Sequence, residues 1–172
     1  ILNDVSVPEG NVVGALGKGY DVVSKVIGEV GRASMAAISV GILRGCLEES
    51  VRFANDRIVY GKPISKLQAI QFHVAELRLA YESARLLLYR AAAMKDKGQS
   101  AIAEFSLAKY HGTEAACGAA KRSIELMGGY GVIDEYPAGR FLRDALASIS
   151  SGGTSEIQKL IIAGDTLKKY RV

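Results

Sequence analysis

Tryptophan is absent from this 172-residue chain, and proline occurs only three times. So few breakers across alanine-rich stretches favour long helices over a strand-and-turn architecture. Cysteine and histidine are equally sparse, with Cys46, Cys117, His73 and His111 the complete set. Both cysteines lie in apolar surroundings of helical period, which predicts buried thiols rather than a disulfide. Neither histidine has a cysteine or carboxylate at ligand spacing, so no metal is expected. No apolar run approaches about 18 residues free of charge, and no signal-peptide pattern is visible, so neither a membrane span nor export is expected. A soluble, cytoplasmic protein is the expectation. Long runs of one charge are missing too. The 22 basic and 18 acidic residues leave +4, and without a basic stripe nucleic acid is not an expected partner. That small surplus serves solubility and is also compatible with an anionic cofactor.

What is present reads as one globular domain. The chain is 49% hydrophobic and 23% charged, and its length suffices for a real core. It begins at Ile1 rather than methionine, as a piece of a longer protein would. Residues 1–18 alternate apolar and polar positions around Val5, Val7, Val12 and Val13, with Pro8 and Gly10 as turn signals. They read as a strand or extended arm, which must borrow a partner sheet. From Gly19 the period becomes helical and continues to about Asp56. "RIVYGKPIS" interrupts it, a second helix runs to about Lys97, and a third spans about Ala101 to Met127. The small-residue patch "AACGAA" at 115–120 lets another helix approach closely. "GGYG" ends the third helix, and two shorter helices follow near 137–149 and 154–169. The expected fold is all-α: an up-and-down, four-helix-type bundle of long antiparallel helices over 19–172, preceded by the short arm.

The stretch "SISSGGTSEIQ" at 148–158 sets two glycines before the last helix. Gly152 and Gly153 give the backbone access to positive φ and to close approach. Thr154 is placed to cap the helix, and Glu156 to complement its dipole.

Three segments, "RIVYGKPISKLQAIQFHVAEL" (57–77), "LMGGYGVIDEYPAGRFLRDA" (126–145) and "GGTSEIQKLIIA" (152–163), closely resemble the C-terminal helical domain of acyl-CoA dehydrogenases. "DVSVPEGNVVGALGKGY" resembles that family's exit from its middle β-domain. The resemblance covers nearly the whole chain, with several motifs in the family's order. It implies an FAD-dependent α,β-dehydrogenation of an acyl-CoA thioester. It also implies a homotetramer or a complex with a related subunit, an electron-transfer acceptor, and, in a eukaryote, the mitochondrial matrix.

The resemblance assigns Arg57 to the FAD pyrophosphate of a neighbouring subunit, a contact suited to a permanently charged guanidinium. A plain helix-end arginine is the alternative. Tyr60 stands where the family usually has phenylalanine. Gln68 matches an FAD-contacting glutamine, while Ser65-x-x-Gln68 also has capping-box spacing. Glu125, Gly128 and Gly129 match the segment packed on the adenine half of the cofactor, although Gly128 alone reads as a helix C-cap. Thr154, Ser155 and Glu156 match FAD contacts at a helix N-terminus, where free N–H groups suit phosphate. Glu29 and Arg32, with Gly153, match positions near the substrate, and Glu29 with Arg32 equally makes an ordinary ion pair.

The family's base usually precedes the Gly-Thr of the last helix, and its backbone N–H also binds the thioester carbonyl. Here that position is Gly152, so the N–H remains and the carboxylate does not. The other family location for the base, just before Arg32, is Gly31. Three readings follow: Glu29 is a relocated base, another chain or domain supplies it, or the fold performs something other than dehydrogenation.

Overall fold

A computed structural model of the chain describes residues 1–171, and Glu29 by its backbone alone. The fold is all-α. Helix α1 (Gly19–Val26) runs through a single π-helical turn at Ile27–Gly31 into α2 (Arg32–Asp56), so the helical run from Gly19 to Asp56 is unbroken. A two-stranded hairpin, β1 (Ile58–Val59) and β2 (Lys62–Pro63), turns the chain through Tyr60 and Gly61. Helices α3 (Gln68–Asp96), α4 (Ile102–Met127), α5 (Ala138–Ser150) and α6 (Ser155–Lys169) follow. Short connections make α3 antiparallel to both α2 and α4, which pack side by side, with α5 and α6 against α4.

The small-residue patch sits at the centre of this arrangement. Ala116, Ala119 and Ala120 of α4 are buried against Leu43 and Cys46 of α2 and Leu77 and Ala84 of α3. Alanine there removes side-chain bulk, so three helices share one seam. Cys46 is buried and Cys117 half-buried, and both are free thiols. Burial raises the Cys46 thiol to about 11. A second cluster joins Phe53, Ile64, Leu126, Met127 and Ala138 where α2 and α4 end and α3 and α5 begin. No helix among the described residues is long and apolar enough to cross a membrane.

Residues 1–18 form an exposed arm without a strand, with one 3-10 turn at Glu9–Asn11. Two local expectations are corrected. The Ser65–Gln68 capping box does not form. Leu67 occupies the N-cap, Gln68 is already helical, and Gln71 Nε2 donates to the Ser65 carbonyl at 3.1 Å instead. Thr154 is the N-cap residue of α6, but its hydroxyl makes no capping bond to the backbone and goes to Glu156.

Candidate cofactor and substrate site

The sequence-predicted residues separate into two groups. One lies where α2 and α4 end. Arg57 is the C-cap residue of α2, its N–H donating to the Phe53 carbonyl at 2.9 Å. Its exposed guanidinium stands 5.3 Å from the Tyr130 ring centroid and forms no ion pair among the described residues. Phe53, Tyr130 and Tyr136 pack mutually, with centroids 5.5 to 5.7 Å apart. Together with Arg57 they line an open cavity of about 500 Å³. A charged donor left free above aromatic faces fits a phosphate-bearing, ring-containing ligand. Three carboxylates, Glu49, Asp56 and Glu135, share the rim, and Arg52 is paired with Glu49.

Tyr60 belongs to the same end. It takes φ +54° and Gly61 +74°, the pair of left-handed residues a two-residue hairpin requires. The Tyr60 side chain is 88% exposed. Gln68 and Glu125 are also exposed, the latter 3.7 Å from Lys121. Gly128 is indeed the C-cap of α4, at φ +59°. Within the chain it is Gly131 that a close approach demands, since a Cβ there would fall 2.7 Å from the Ile124 Cα, while Gly128 and Gly129 face open space.

The second group gathers at the opposite end, around the glycine turn. Gly152 and Gly153 take φ +67° and +98°. A Cβ on Gly152 would meet the Gly31 carbonyl oxygen at 3.2 Å and Met35 Cγ at 3.3 Å. The two positions where the resemblance would put a carboxylate therefore lie against each other, backbone to backbone. Arg32 is half-buried beside them, with Nη1 3.5 Å from the Gly28 carbonyl and Nε without a partner. Burial lowers its guanidinium from the ordinary value. The Glu29 side chain, expected to pair with Arg32 or act as base, lies outside the described residues.

At the head of α6 the side chains do not all face outward. Ser155 is buried and donates to Glu114 Oε1 at 2.6 Å, which leaves only its backbone for a ligand. Glu156 is held below its ordinary value first by its own backbone N–H and then by the Thr154 hydroxyl. A carboxylate already complements this helix dipole. Behind the turn, Lys109 donates to the Ile149 carbonyl at 2.6 Å, and Gln158 Nε2 donates to Gly152 O at 3.2 Å and Gly153 O at 3.0 Å.

The two groups stand at opposite ends of α2, whose 25 residues span about 37 Å. The class is thus a helical bundle that offers an arginine-and-aromatic face at one end and a backbone-donor turn at the other.

The family described as "Acyl-CoA dehydrogenase, C-terminal domain" matches residues 17–167, and this chain belongs to it. Human mitochondrial short-chain specific acyl-CoA dehydrogenase is 40% identical over 171 residues, covering 99% of this chain and 41% of that protein. Among solved structures, butyryl-CoA dehydrogenase from Megasphaera elsdenii superposes with a TM-score of 0.92 at 33% identity, over 97% of this chain and 43% of that one. A structure titled "PigA with FAD and proline" gives 0.90 at 30% identity, over 95% and 43%. The chain thus spans about two fifths of the length of these relatives.

Several residues at these ends carried no local signal. Tyr130 and Tyr136 follow α4 in irregular sequence, and only the fold stacks them on Phe53. Lys109 and Glu114 belong to no motif singled out in the sequence, and Gln158 only closes the stretch at 148–158, four residues after Thr154 and one helical turn into α6.

Proposed function

We propose that this chain is the C-terminal portion of an FAD-dependent acyl-CoA dehydrogenase, in which it contributes flavin contacts and the oligomer core. The observation that carries this reading is the free Arg57 guanidinium over Tyr130, at the far end of the bundle from the glycine turn. Two half-sites so placed are served by a homotetramer, or by pairing with a related subunit, each copy lending one end to its neighbour's cofactor. An electron-transfer acceptor and an aqueous compartment, cytoplasm or mitochondrial matrix, complete the proposal.

In this reading Arg57 grips the pyrophosphate, Tyr60 and Gln68 contact the FAD, and Glu125, Gly128 and Gly129 pack on its adenine half. Thr154, Ser155 (by its backbone) and Glu156 contact the cofactor at the α6 N-terminus. Bound FAD supplies the acceptor for the hydride leaving the acyl chain. Gly152 offers its N–H to the thioester carbonyl, where negative charge grows as the α-proton leaves, while Gly153 and Arg32 line the substrate side. Glu29 is the one acidic residue near Arg32 in the chain and is assigned the base.

One observation favours a second reading, a non-catalytic assembly subunit or a different flavoprotein of this fold: Gly31 and Gly152 both lack the carboxylate, and a Cβ on Gly152 would crowd the Gly31 carbonyl. A flavin spectrum and acyl-CoA bleaching of the full-length protein separate the two. Arg57→Ala should lower FAD affinity at least tenfold, since a charged hydrogen bond contributes about 1.5 to 3 kcal/mol. Unchanged affinity would reduce Arg57 to a helix-end charge.

A further inference from the structure

Gln158 is fully buried, yet its role is spent on backbone. Its Nε2 donates to two successive carbonyls, Gly152 O and Gly153 O, while Oε1 is buried without a donor. The amide orientation is forced, because only the NH₂ end can serve two acceptors. An orphaned acceptor in the interior is costly, so the side chain is held there at the expense of its own satisfaction. The site of Gly153 is matched to it: a Cβ at that position would lie 2.9 Å from Gln158 Nε2.

The geometry has a directional consequence. In a trans peptide the N–H points opposite to the C=O, and the chain has no cis peptide bond. Drawing the Gly152 carbonyl inward turns the Gly153 N–H away from the interior, and drawing in the Gly153 carbonyl does the same for Thr154. Neither N–H donates to any backbone carbonyl among the described residues. The entrance to the turn is tied as well, by fully buried Lys109 on the Ile149 carbonyl at 2.6 Å. The Ser151–Gly152 peptide, which carries the Gly152 N–H, lies between these two ties.

We propose that Gln158 is a positioning residue for the reaction: its side-chain amide holds the Gly152 and Gly153 carbonyls inward and so fixes the turn from which the Gly152 N–H is offered to the substrate carbonyl. This rests on the acyl-CoA dehydrogenase reading above. Gln158 touches neither substrate nor flavin. It acts by sparing the donor any reorganisation when charge develops on the thioester oxygen.

The test uses the full-length, flavin-loaded protein and Gln158→Met, which keeps the volume and removes the donor; Gln158→Glu, isosteric and unable to donate while ionised, stands in should the first fail to fold. Flavin reduction at saturating acyl-CoA should fall about ten- to a hundredfold, the scale of a misplaced catalytic donor. The acyl-CoA dissociation constant and flavin content should stay within about threefold, as expected when a transition-state interaction is lost. The infrared C=O stretch of bound carbonyl-¹³C acyl-CoA should move back toward its value in free acyl-CoA, and a crystal structure of the variant should show the Gly152–Gly153 peptide rotated. A loss confined to thermal stability, with rate, carbonyl stretch and turn unchanged, overturns the proposal. So does a rotated turn with the parent's rate. A parent protein that leaves flavin oxidised in the presence of acyl-CoA marks failure of the dehydrogenase reading itself, which an active parent with an indifferent Gln158→Met does not.

Discussion

Installing glutamate at Gly31 and, separately, at Gly152 places a carboxylate on either side of one backbone contact, and the two changes differ sharply in cost. Gly31 has helical dihedrals, φ −61° and ψ −43°, and a Cβ there would meet only Ile27 Cγ2 at 3.9 Å and the Gly152 Cα at 4.0 Å. Replacing a helical glycine by a better helix former contributes about 0.5 to 1 kcal/mol of stability. Gly152, at φ +67°, imposes a left-handed backbone on any replacement, about 1 to 2 kcal/mol. Its Cβ also presses on the Gly31 carbonyl at 3.2 Å, and such overpacking costs a further 1 to 3 kcal/mol or so. In urea, with a slope of about 2 kcal/mol per molar, Gly152→Glu should lower the midpoint by about 1 M or more while Gly31→Glu leaves it level or higher. A side chain at 31 starts out toward the turn, so Gly31→Glu in the full-length protein should also raise single-turnover flavin bleaching, by about 10² to 10⁴ where no other base operates. If Glu29 is the base, the gain shrinks and Glu29→Gln slows the parent within that same range. A Gly152→Glu protein as stable as its parent would refute the steric argument. A Gly31→Glu protein that binds acyl-CoA and bleaches no faster, in a parent that Glu29→Gln leaves unaltered, would place the base outside this chain.

Two further outcomes are expected. Tyr60→Asn should stabilise the domain by up to about 1 kcal/mol in urea, because asparagine tolerates φ +54° better than a bulky aromatic, while weakening FAD retention in the full-length protein; unchanged retention would leave the strained tyrosine without a ligand role. The Cys46 thiol, raised from 9.0 to about 11 by burial, keeps its proton in the folded state after the unfolded chain has lost it. This contribution to stability is therefore level below about pH 9 and falls as pH rises toward 11, by about 2 kcal/mol at pH 10.5, so the fall between pH 8 and 10.5 in urea titrations should be smaller by that amount in Cys46→Ala.

Periodicity alone determined much of this protein. Apolar spacing delimited the long helices to within a residue or two, and glycine and proline marked their ends, because helix formation depends on neighbours three and four positions away. The alanine patch at 115–120 announced a close helix contact for the same local reason. The motif at 57–77, through the family it resembles, named Arg57 before any geometry was known.

Contacts between distant positions were decided by tertiary structure. No local rule pairs Gly31 with Gly152, yet their backbones meet, and that contact governs where a carboxylate can stand. Ser155 and Glu156 look alike as polar residues of a first helical turn, but α4 lies behind one, so Ser155 turns inward to Glu114 while Glu156 stays in solvent on its own N–H. The capping box at Ser65–Gln68 failed because a 3-10 turn, closed by the Leu67 N–H on Ile64, moved the helix start to Leu67. Gln158 is polar in sequence and buried in space, and its partners are carbonyls, which no side-chain pattern records. Hydrogen bonds to backbone depend on where the peptide planes point, and only the packed chain determines that.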